Sequence, residues 1–378
     1  MMTFKKAVLP KGFKANGVAC GLKRSGKLDL ALFYSEVPAK AACLFTTNKI
    51  IAAPLKLNKK YLKTNSSFQA IVVNSSNANC LTGEAGLRDA EETSKSFASI
   101  LSIKKEGVLV NSTGIIGKRL DLAKIKNAAG NLARGLSVKG IKYASRAIMT
   151  TDTFEKEITV KLNIGAAQVT VCGVAKGAGM ISPNMATLLC FIMTDANIAQ
   201  ALLKRALKDS VENSFNCITV DGCMSTNDSV MVLANGQAGN RIISGGKDYD
   251  NFVKALHYVC LQLAKMVVRD GEGATKFIEI TVDKAKSAEE AKTAALAIAN
   301  SNLFKTAIYG QNPNFGRIAS AVGACGIDVE ENKLRCKVTS LKKKDIKVHV
   351  EINKGKAKAV IYTSDLTPEY IKINAEYN

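Results

Sequence analysis

The chain has 378 residues, 47% of them hydrophobic and 22% charged, so it can bury a large core and is predicted to be globular. Its formal net charge of +21 would suit nucleic acid, but the lysines are dispersed, aromatic residues make up only 6%, and no nucleic-acid-binding motif accompanies them. The longest apolar stretch, residues 185–193, is well short of the roughly 20 residues that cross a bilayer, which excludes a membrane span.

Short apolar runs separated by turn residues predict buried strands at 17–23, 29–35, 41–47 and 68–76. Apolar residues at helical spacing then predict helices at 87–101 and 121–136, and Asp121 is placed to cap the second helix. The next two segments alternate apolar and polar side chains around Gly165, which predicts a hairpin of strands 157–163 and 168–175.

The second half of the chain begins with long amphipathic patterns, which predict helices at 197–215 and 249–271. A strand at 277–282 and a helix at 288–301 follow, and the remaining predicted strands are 333–340, 346–352 and 358–364. Mixed strands and paired helices predict an α+β fold with helices packed outside two sheets. At about 150 residues per domain the length suggests two or three units, and we expect two domains that share one site.

The chemistry of thiols and imidazoles is limited. Ten cysteines lie in mostly apolar contexts without CxxC pairs or metal-ligand spacing, which predicts reduced, packed thiols and no metal site. The histidines are His257 and His349, and the apolar pattern around His257 favours a core or boundary residue over a catalyst. We therefore do not expect a Ser-His-Asp or Cys-His enzyme.

Because no apolar segment typical of a secretory signal follows the basic N-terminus, we expect a cytoplasmic protein.

The most unusual segment runs KGAGMISPNMAT, from Lys176 to Thr187. Its glycines permit conformations closed to other residues, and Pro183 fixes the chain shortly before Ala186. In a tight turn the Thr187 hydroxyl could attack the Ala186 carbonyl, and hydrolysis of the resulting ester would free an α-amino group. That amine, with an ordinary pKa of roughly 8, could accept the proton of its own hydroxyl. From spacing alone, a glycine-rich turn before a buried strand is the simpler interpretation.

This segment resembles the cleavage signature of the ornithine acetyltransferases, also called bifunctional glutamate N-acetyltransferases. Other segments resemble motifs of the same family, in the family's order: GFKANGVACGLK, FTTNKIIAAP, VNSSNANCLTGEAG, STGIIG, IMTTDT, FNCITVDGCMSTNDS, RDGEGATKFIEI, KTAIYGQNPNFGRI and INAEYN. The resemblance spans nearly the whole chain, and so many motifs in register make coincidence negligible.

The resemblance implies autocatalytic cleavage between Ala186 and Thr187, into an α-chain of residues 1–186 and a β-chain of residues 187–378. It also implies acetyl transfer from N-acetylornithine to glutamate through an ester on Thr187, yielding ornithine and N-acetylglutamate without a metal or organic cofactor. Two αβ units are expected to associate. Whether acetyl-CoA is also a donor stays open.

Site residues follow from the same resemblance. The family's oxyanion hole lies in the STG motif, so Thr113 and Gly114 would supply a hydroxyl and a backbone N–H to the developing negative charge. A glycine turn after a strand is the alternative, and both can hold at once. The implied substrate-binding positions are Thr150 or Thr151, Lys176, Thr187, Glu272 and Asn374.

The charges at these positions suit the substrates. Lys176 matches the carboxylate of an N-acetyl amino acid, and Glu272 matches the side-chain amine of ornithine. Taken alone, either residue would more often be a solvated charge. Family members usually carry a serine or threonine after the INAEY-x tail, whereas this sequence ends at Asn378, so that substrate contact is either replaced or missing.

Two other functions fit parts of the sequence. An aminopeptidase or amidase on the same self-cleaving scaffold would use water in place of glutamate, but the array of matched motifs argues against it. A nonenzymatic basic binding protein would explain the net charge, but it would have no reason to cut itself in two.

Overall fold

The structure, a computed structural model, describes residues 1–182 and 188–376. Its strands are β1 (Met2–Phe4), β2 (Phe13–Val18), β3 (Leu30–Phe45), β4 (Phe68–Asn77), β5 (Val108–Ile115), β6 (Lys156–Ile164), β7 (Ala167–Lys176), β8 (Leu189–Thr194), β9 (Ser229–Ala234), β10 (Phe277–Ala285), β11 (Arg335–Val338), β12 (Asp345–Glu351) and β13 (Ala357–Ser364). Its α-helices are α1 (Ala53–Thr64), α2 (Gly83–Leu101), α3 (Leu122–Arg134), α4 (Ile141–Ala147), α5 (Gln200–Glu212), α6 (Gly246–Arg269), α7 (Ala288–Asn300), α8 (Asn302–Tyr309), α9 (Gly316–Gly323) and α10 (Pro368–Ala375). No helix in these two ranges is long and apolar enough to cross a membrane.

The larger sheet is organised around the long strand β3. In the described part of the chain it has nine strands, in the order β1-β6-β7-β8-β9-β3-β4-β5, with β2 also paired to β3. The first part of β3 pairs with β2 and β4, and the register shifts between Tyr34 and Ala39. Residues 40–45 then pair with β9. The register shift divides the sheet into two regions, and side chains from both form one buried core. Among them are Phe33 of β3 and Phe191 of β8, with ring centroids 5.2 Å apart. The sheet therefore folds over on itself.

Helices cover both outer faces of this folded sheet. Helix α6 buries Phe252, Leu256 and Val259, at helical spacing, in a core shared with β6, β7 and β8. On the opposite face α2 and α3 bury Phe97 and Ile125 in a core shared with β3 and β4. The layers run helix, sheet, sheet, helix, which confirms the α+β prediction with helices packed outside.

A smaller sheet of four strands occupies the C-terminal part of the described chain, in the order β11-β12-β10-β13. Strand β10 is parallel to β12 and antiparallel to β13, and α7 buries four of its alanines and Ile298 against them. Phe277 of β10 stacks on Tyr362 of β13, with ring centroids 5.8 Å apart, and both join the core beneath α6. That contact ties the smaller sheet to the larger one.

Most of the predicted elements are confirmed with shifted ends. The hairpin is β6 and β7, and the helices predicted at 197–215 and 249–271 are α5 and α6. Asp121 caps α3 as expected, because its Oδ1 accepts the N–H of Lys124 at 3.4 Å. The predicted C-terminal strands correspond to β11, β12 and β13.

Four predictions were wrong or incomplete. The strand predicted at 17–23 ends at Val18, because the buried Asp29 carboxylate accepts the N–H groups of Cys20 at 2.6 Å and Lys23 at 2.8 Å and holds a loop there. The strands predicted at 29–35 and 41–47 are one bent strand, β3. Helices α1, α4, α8, α9 and α10 were not predicted. Nor are all ten thiols packed, since Cys223 is exposed.

Replacing Phe191 tests the core between the two layers of the larger sheet. Phe191→Ala removes a fully buried ring beside Phe33 and should lower the free energy of unfolding by about 3–5 kcal/mol. The matched control is Phe4→Ala on the edge strand β1, where the ring is 39% exposed and the loss should stay below about 1 kcal/mol. Urea unfolding of both variants measures the difference, and equal losses would contradict the shared core.

Candidate active site

A cavity of about 120 Å³ collects the described residues of the predicted site. They come from different elements: the end of β5, the loop after α4, the end of β7, the loop after α6, and α10. The lining residues are Ala78, Thr113, Gly114, Ile116, Thr150, Thr151, Lys176, Gly179, Met180, Ser225, Thr226, Asn227, Glu272 and Asn374. The predicted cleavage residues Ala186 and Thr187 lie outside the described residues, as does Asn378.

Lys176 is the buried cation of this cavity, with a side chain only 5% exposed. Its Nζ donates to Thr150 Oγ1 at 2.7 Å and to Thr113 Oγ1 at 3.4 Å. Burial lowers the pKa of the Lys176 ammonium, and the carboxylate of Asp152, 4.0 Å from Nζ, offsets part of that effect. Its closest contacts are two neutral hydroxyls and its carboxylate partner is 4.0 Å away, so this positive charge is well suited to an anionic ligand group.

Asp152 fixes this lysine from beneath. Its Oδ1 accepts from Lys156 Nζ and from the Gly177 N–H, each at 2.7 Å, and its side chain is fully buried. Burial alone would raise the pKa of the Asp152 carboxyl, but Lys176, Lys156 and the Gly177 N–H favour the charged form and hold that pKa well below its usual range. Lys156 also pairs with Asp270 at 2.5 Å, so a closed group of buried charges underlies the cavity.

Glu272 supplies the carboxylate of the cavity. Thr151 Oγ1 donates to its Oε1 at 2.7 Å, and Asn374 Nδ2 donates to its Oε2 at 2.8 Å. A Cβ on Gly179 would lie 2.2 Å from Glu272 Oε2, so only glycine lets the chain pass so close to this carboxylate. The four residues come from four separate segments, and the carboxylate joins them.

The threonines of the TTDT motif differ in their contacts within the protein. Thr150 contacts Lys176 and Thr151 contacts Glu272, and both line the cavity. Thr153 instead hydrogen-bonds Asp270 through its hydroxyl and, at 2.9 Å, through its N–H. Which threonine touches substrate stays a prediction.

The predicted oxyanion residues sit where β5 ends. Thr113 is 7% exposed, and its hydroxyl oxygen accepts from Lys176, which leaves the hydroxyl hydrogen free to point into the cavity. Gly114 has a φ of +132°, and a Cβ there would lie 2.2 Å from the Ser76 carbonyl carbon of the neighbouring strand. Because a side chain cannot fit, the backbone of Gly114 itself faces the cavity.

Two carboxylates that sequence reasoning missed, the half-buried Asp221 and the buried Asp228, hold the described residues on either side of 183–187. Asp221 accepts the N–H of Met180 at 2.6 Å and that of Ile181 at 2.9 Å. Asp228 accepts the N–H of Leu188 at 3.0 Å, and burial raises the pKa of its carboxyl well above the usual value. Both lie in the FNCITVDGCMSTNDS segment, and its resemblance to a family motif was the only sequence signal that could have pointed to them.

Asn227 was also missed, although it connects the cavity wall to β5. Its Nδ2 donates to the carbonyl oxygen of Ala78 at 2.7 Å and to that of Ser112 at 2.8 Å. His257 is half-buried on α6 and does not line the cavity. Among the residues that the structure describes, no group of three or more His, Cys, Asp or Glu side chains is placed to hold a metal ion.

Removing the Asp152 charge should cost stability in a pH-dependent way. Asp152→Asn leaves Lys176 without its nearest carboxylate, and we expect the free energy of unfolding at pH 7 to fall by about 3 kcal/mol. Because the pKa of Asp152 is lower in the folded chain than in the unfolded chain, the carboxylate's contribution is complete above about pH 4 and disappears as the pH falls towards the folded-state value.

Urea unfolding at several pH values measures this difference between the variant and the unmodified protein. Asp209→Asn is the control, because its carboxylate is 54% exposed and pairs with Arg205 only at 3.8 Å, so the loss should be below about 1 kcal/mol. A gap between Asp152→Asn and the unmodified protein that does not narrow below pH 4 would contradict the assignment of the charge.

Comparison with known proteins agrees with the motifs. The ArgJ family model matches residues 14–342 and 335–378. The arginine biosynthesis bifunctional protein ArgJ of Caldanaerobacter subterraneus subsp. tengcongensis is 45% identical over 98% of this chain and 98% of its own length. The glutamate N-acetyltransferase of Methanocaldococcus jannaschii is 43% identical, over 97% of each chain. A solved structure of Mycobacterium tuberculosis ornithine acetyltransferase complexed with ornithine is 35% identical and covers 50% of this chain and 99% of that chain, with a TM-score of 0.45. Because the family model and the full-length relatives cover nearly every residue, the chain belongs to the ArgJ family of arginine-biosynthesis enzymes.

Proposed function

We propose that the chain cleaves itself between Ala186 and Thr187, and that Thr187 then carries an acetyl group from N-acetylornithine to glutamate. The observation that carries this proposal is the pairing of one cation and one carboxylate, Lys176 and Glu272, among the residues described around a small cavity. The segment that leads into residues 183–187 borders the same cavity through Gly179 and Met180. Directly after those residues, the N–H of Leu188 is held by Asp228, the neighbour in sequence of the cavity residue Asn227.

The two charges match the substrates. N-acetylornithine offers an α-carboxylate, which suits Lys176, and a side-chain ammonium, which suits Glu272. Glutamate shares the α-carboxylate, so the same lysine can hold both molecules in turn. Thr151 and Asn374 are neutral donors beside Glu272, and they hold its oxygens in position. Both substrates would therefore occupy one pocket at different times.

Cleavage would begin when the Thr187 hydroxyl attacks the Ala186 carbonyl. The C–N bond breaks as the ester forms, the nitrogen of Thr187 becomes an amine, and water then splits the ester into a carboxylate on Ala186 and a free hydroxyl. Asp221 and Asp228 support this step, since they hold the backbone at Met180, Ile181 and Leu188. Fixed ends on both sides restrict the conformations open to the segment between them.

Acetyl transfer would use the new amine as the base. The α-amino group of Thr187 accepts the proton of its own hydroxyl, and the oxygen attacks the acetyl carbonyl. The hydroxyl of Thr113 and the N–H of Gly114 stabilise the oxyanion, a contribution of roughly 3 kcal/mol per donor. The C–N bond then breaks, and ornithine leaves with the proton. Glutamate repeats the sequence in reverse: its amine attacks the ester and releases Thr187 with its hydroxyl restored.

The family relatives bear on a second donor. The Caldanaerobacter relative is named a bifunctional protein, whereas the Methanocaldococcus relative is named only a glutamate N-acetyltransferase. We include acetyl-CoA as a second donor in the proposal for this chain. Glutamate acetylation by acetyl-CoA without N-acetylornithine is the assay that decides it.

We propose that the protein acts in the cytoplasm, as two associated αβ units, without a metal or organic cofactor.

Self-cleavage predicts two fragments, residues 1–186 and 187–378, that copurify without a disulfide. They should stay together because β7 and β8, on opposite sides of the cut, pair in one sheet and share one core. Denaturing gels and N-terminal sequencing detect the fragments, and light scattering of the same sample reports whether two αβ units associate.

Thr187→Ala should give one uncut, inactive chain. Thr306→Ala, at an exposed threonine of α8, is the control and should be cut like the unmodified protein. An unmodified protein that stays intact and is fully active would overturn the proposal.

The shared pocket predicts a covalent intermediate. Incubation with N-acetylornithine alone should add one acetyl group to the β-chain, because ornithine leaves before glutamate can enter. Intact-mass analysis detects the addition, and fragmentation should locate it at Thr187. Glutamate should then remove it, and initial-rate plots should give parallel lines.

An unmodified β-chain together with intersecting lines would mean direct transfer in a ternary complex. Loss of the acetyl group to water at the same rate with and without glutamate would indicate an amidase instead.

A further inference from the structure

Lys305 is a buried lysine to which the proposed chemistry gives no role. It lies on α8, in the segment KTAIYGQNPNFGRI, and is only 2% exposed. Its neighbours Phe304 and Ile308 belong to the core of the smaller sheet. Among the described residues, Asp221 and Asp365 attract its ammonium electrostatically, and neither lies within ion-pair distance. A positive charge is therefore held in the interior without a directly paired carboxylate.

Hydrogen bonds show what this ammonium contacts. Lys305 Nζ donates to the carbonyl oxygen of Val220, and to Thr363 Oγ1 at 3.2 Å. A methionine of similar length would fill the same space without taking a charge out of water. Packing alone therefore does not explain an ammonium at this position, whereas a charged donor directed at one backbone carbonyl does.

The Val220 carbonyl belongs to a backbone clamp, formed by Val220 and Asp221, that holds Ile181. The N–H of Val220 donates to the Ile181 carbonyl oxygen at 2.9 Å, and the N–H of Asp221 donates to the same oxygen at 3.4 Å. The Asp221 carboxylate accepts the N–H of Ile181 in return. Ile181 precedes Ala186 by five residues, so the clamp fixes the chain that enters the proposed cut.

Lys305 acts on the clamp through a single peptide group. The carbonyl that accepts its ammonium and the N–H of Asp221 belong to the same planar unit, between Val220 and Asp221. A charged donor on the carbonyl polarises that unit and strengthens its N–H as a donor towards Ile181. It also fixes the plane of the unit, which sets where the Asp221 carboxylate begins.

The other contacts of Lys305 lead into the smaller sheet. Thr363 is a residue of β13, and its hydroxyl donates to the carbonyl oxygen of Ala299 on α7 at 3.3 Å. The N–H of Thr219, next to the clamp, donates to the carbonyl oxygen of Tyr362 on the same strand at 3.0 Å. The clamp is thus complete only when the smaller sheet, which comes last in the sequence, has folded against it.

We propose that Lys305 is a positioning residue for self-cleavage, which holds the Val220–Asp221 peptide group, and through it Ile181, in the conformation from which the chain is cut. This rests on the proposed function, since it presupposes cleavage between Ala186 and Thr187. Lys305 transfers no proton and forms no bond in that reaction. Its loss slows the cut by misplacing the segment, and the contact makes cleavage wait for the smaller sheet.

Freshly synthesised full-length chain, sampled over time on denaturing gels, tests this role. Lys305→Met should slow the appearance of the two fragments by at least about tenfold, because a misplaced segment loses the alignment that the attack needs. The stability control is Ile346→Ala, in the core of the smaller sheet on β12 and away from the clamp. It should unfold at a lower urea concentration than the unmodified protein, yet be cut within about twofold of the unmodified rate.

Stability is measured separately from cleavage by placing both changes in the Thr187→Ala chain, which should stay uncut. Urea unfolding of these uncut chains should show Lys305→Met to be at least as stable as Ile346→Ala. Slow cleavage in the more stable of the two variants cannot then be attributed to unfolding.

The pH dependence separates positioning from a purely structural role. Burial lowers the pKa of the Lys305 ammonium to about 8, although Asp221 and Asp365 favour the charged form. Because this pKa is below that of a lysine in the unfolded chain, loss of the proton above about pH 8 favours the folded state. The advantage in cleavage rate over Lys305→Met should nevertheless shrink as the pH rises through that value, since a neutral amine is a weaker donor. A purely structural lysine would show the opposite trend.

Thr363→Val is a milder variant that decides the question if Lys305→Met does not fold. It keeps the shape of a fully buried side chain and removes one acceptor of the ammonium. The pKa of Lys305 should then fall further, so the decline in cleavage rate should begin at a lower pH than in the unmodified chain.

The inference is overturned if folded Lys305→Met is cut as fast as the unmodified chain, if Ile346→Ala is slowed as much, or if Thr363→Val leaves the pH profile unchanged. An unmodified chain that is never cut would contradict the proposed function, and this inference with it. Equal cutting of the unmodified chain and Lys305→Met would contradict this inference alone.

Discussion

A buried carboxylate, Asp152, connects the parts of this molecule that bear on chemistry. Its side chain has no solvent exposure, so its charge is tolerated only because Lys156, Lys176 and the Gly177 N–H surround it. The same contacts fix the loop after α4 against the end of β7. Thr150, Thr151 and Lys176 therefore keep their relative positions without help from a ligand, and removing the Asp152 charge would leave Lys176 buried without its nearest carboxylate.

The consequence reaches two cavities, the small one of the candidate active site and a larger one of about 1150 Å³ that has the cationic loop at 21–28 as one wall. Asp152 and Thr150 line the larger cavity, Thr150 also lines the smaller one, and Lys23 ties the cationic loop to Met149. The short loop after α4 thus sets the distance between the cationic loop of the larger cavity and the lysine and glutamate of the smaller cavity. This arrangement depends on charges compensated in a dry interior, which are worth far more there than at the surface.

Local sequence patterns predicted the helices and strands whose periodicity extends over many residues, such as α6 and the β6–β7 hairpin. They failed where a distant or buried polar contact decides the structure. The apolar composition of residues 17–23 indicated a strand, but the carboxylate of Asp29 competes for the backbone N–H groups of that segment. The bend of β3 likewise depends on pairing with β9, almost two hundred residues away in sequence.

The candidate site shows the same division. Motif resemblance identified Thr113, Lys176 and Glu272, which the fold brings to one cavity. It missed Asp221 and Asp228, because their role is to hold the backbone of another segment, and such long-range contacts leave no periodic signal. The larger cavity was also invisible, since its walls come from segments spread between Gly21 and Glu155.

The pairing of β7 with β8 has a thermodynamic consequence. Six residue pairs, from Val171 with Thr194 to Lys176 with Leu189, join strands that lie on opposite sides of the proposed cut. In an intact chain the unfolded state keeps both strands on one polymer, so stability does not depend on concentration. After a cut, unfolding separates two molecules and becomes a dissociation, so dilution alone favours the unfolded state. The mature enzyme would then owe its persistence at low concentration to slow separation of the shared sheet rather than to equilibrium stability.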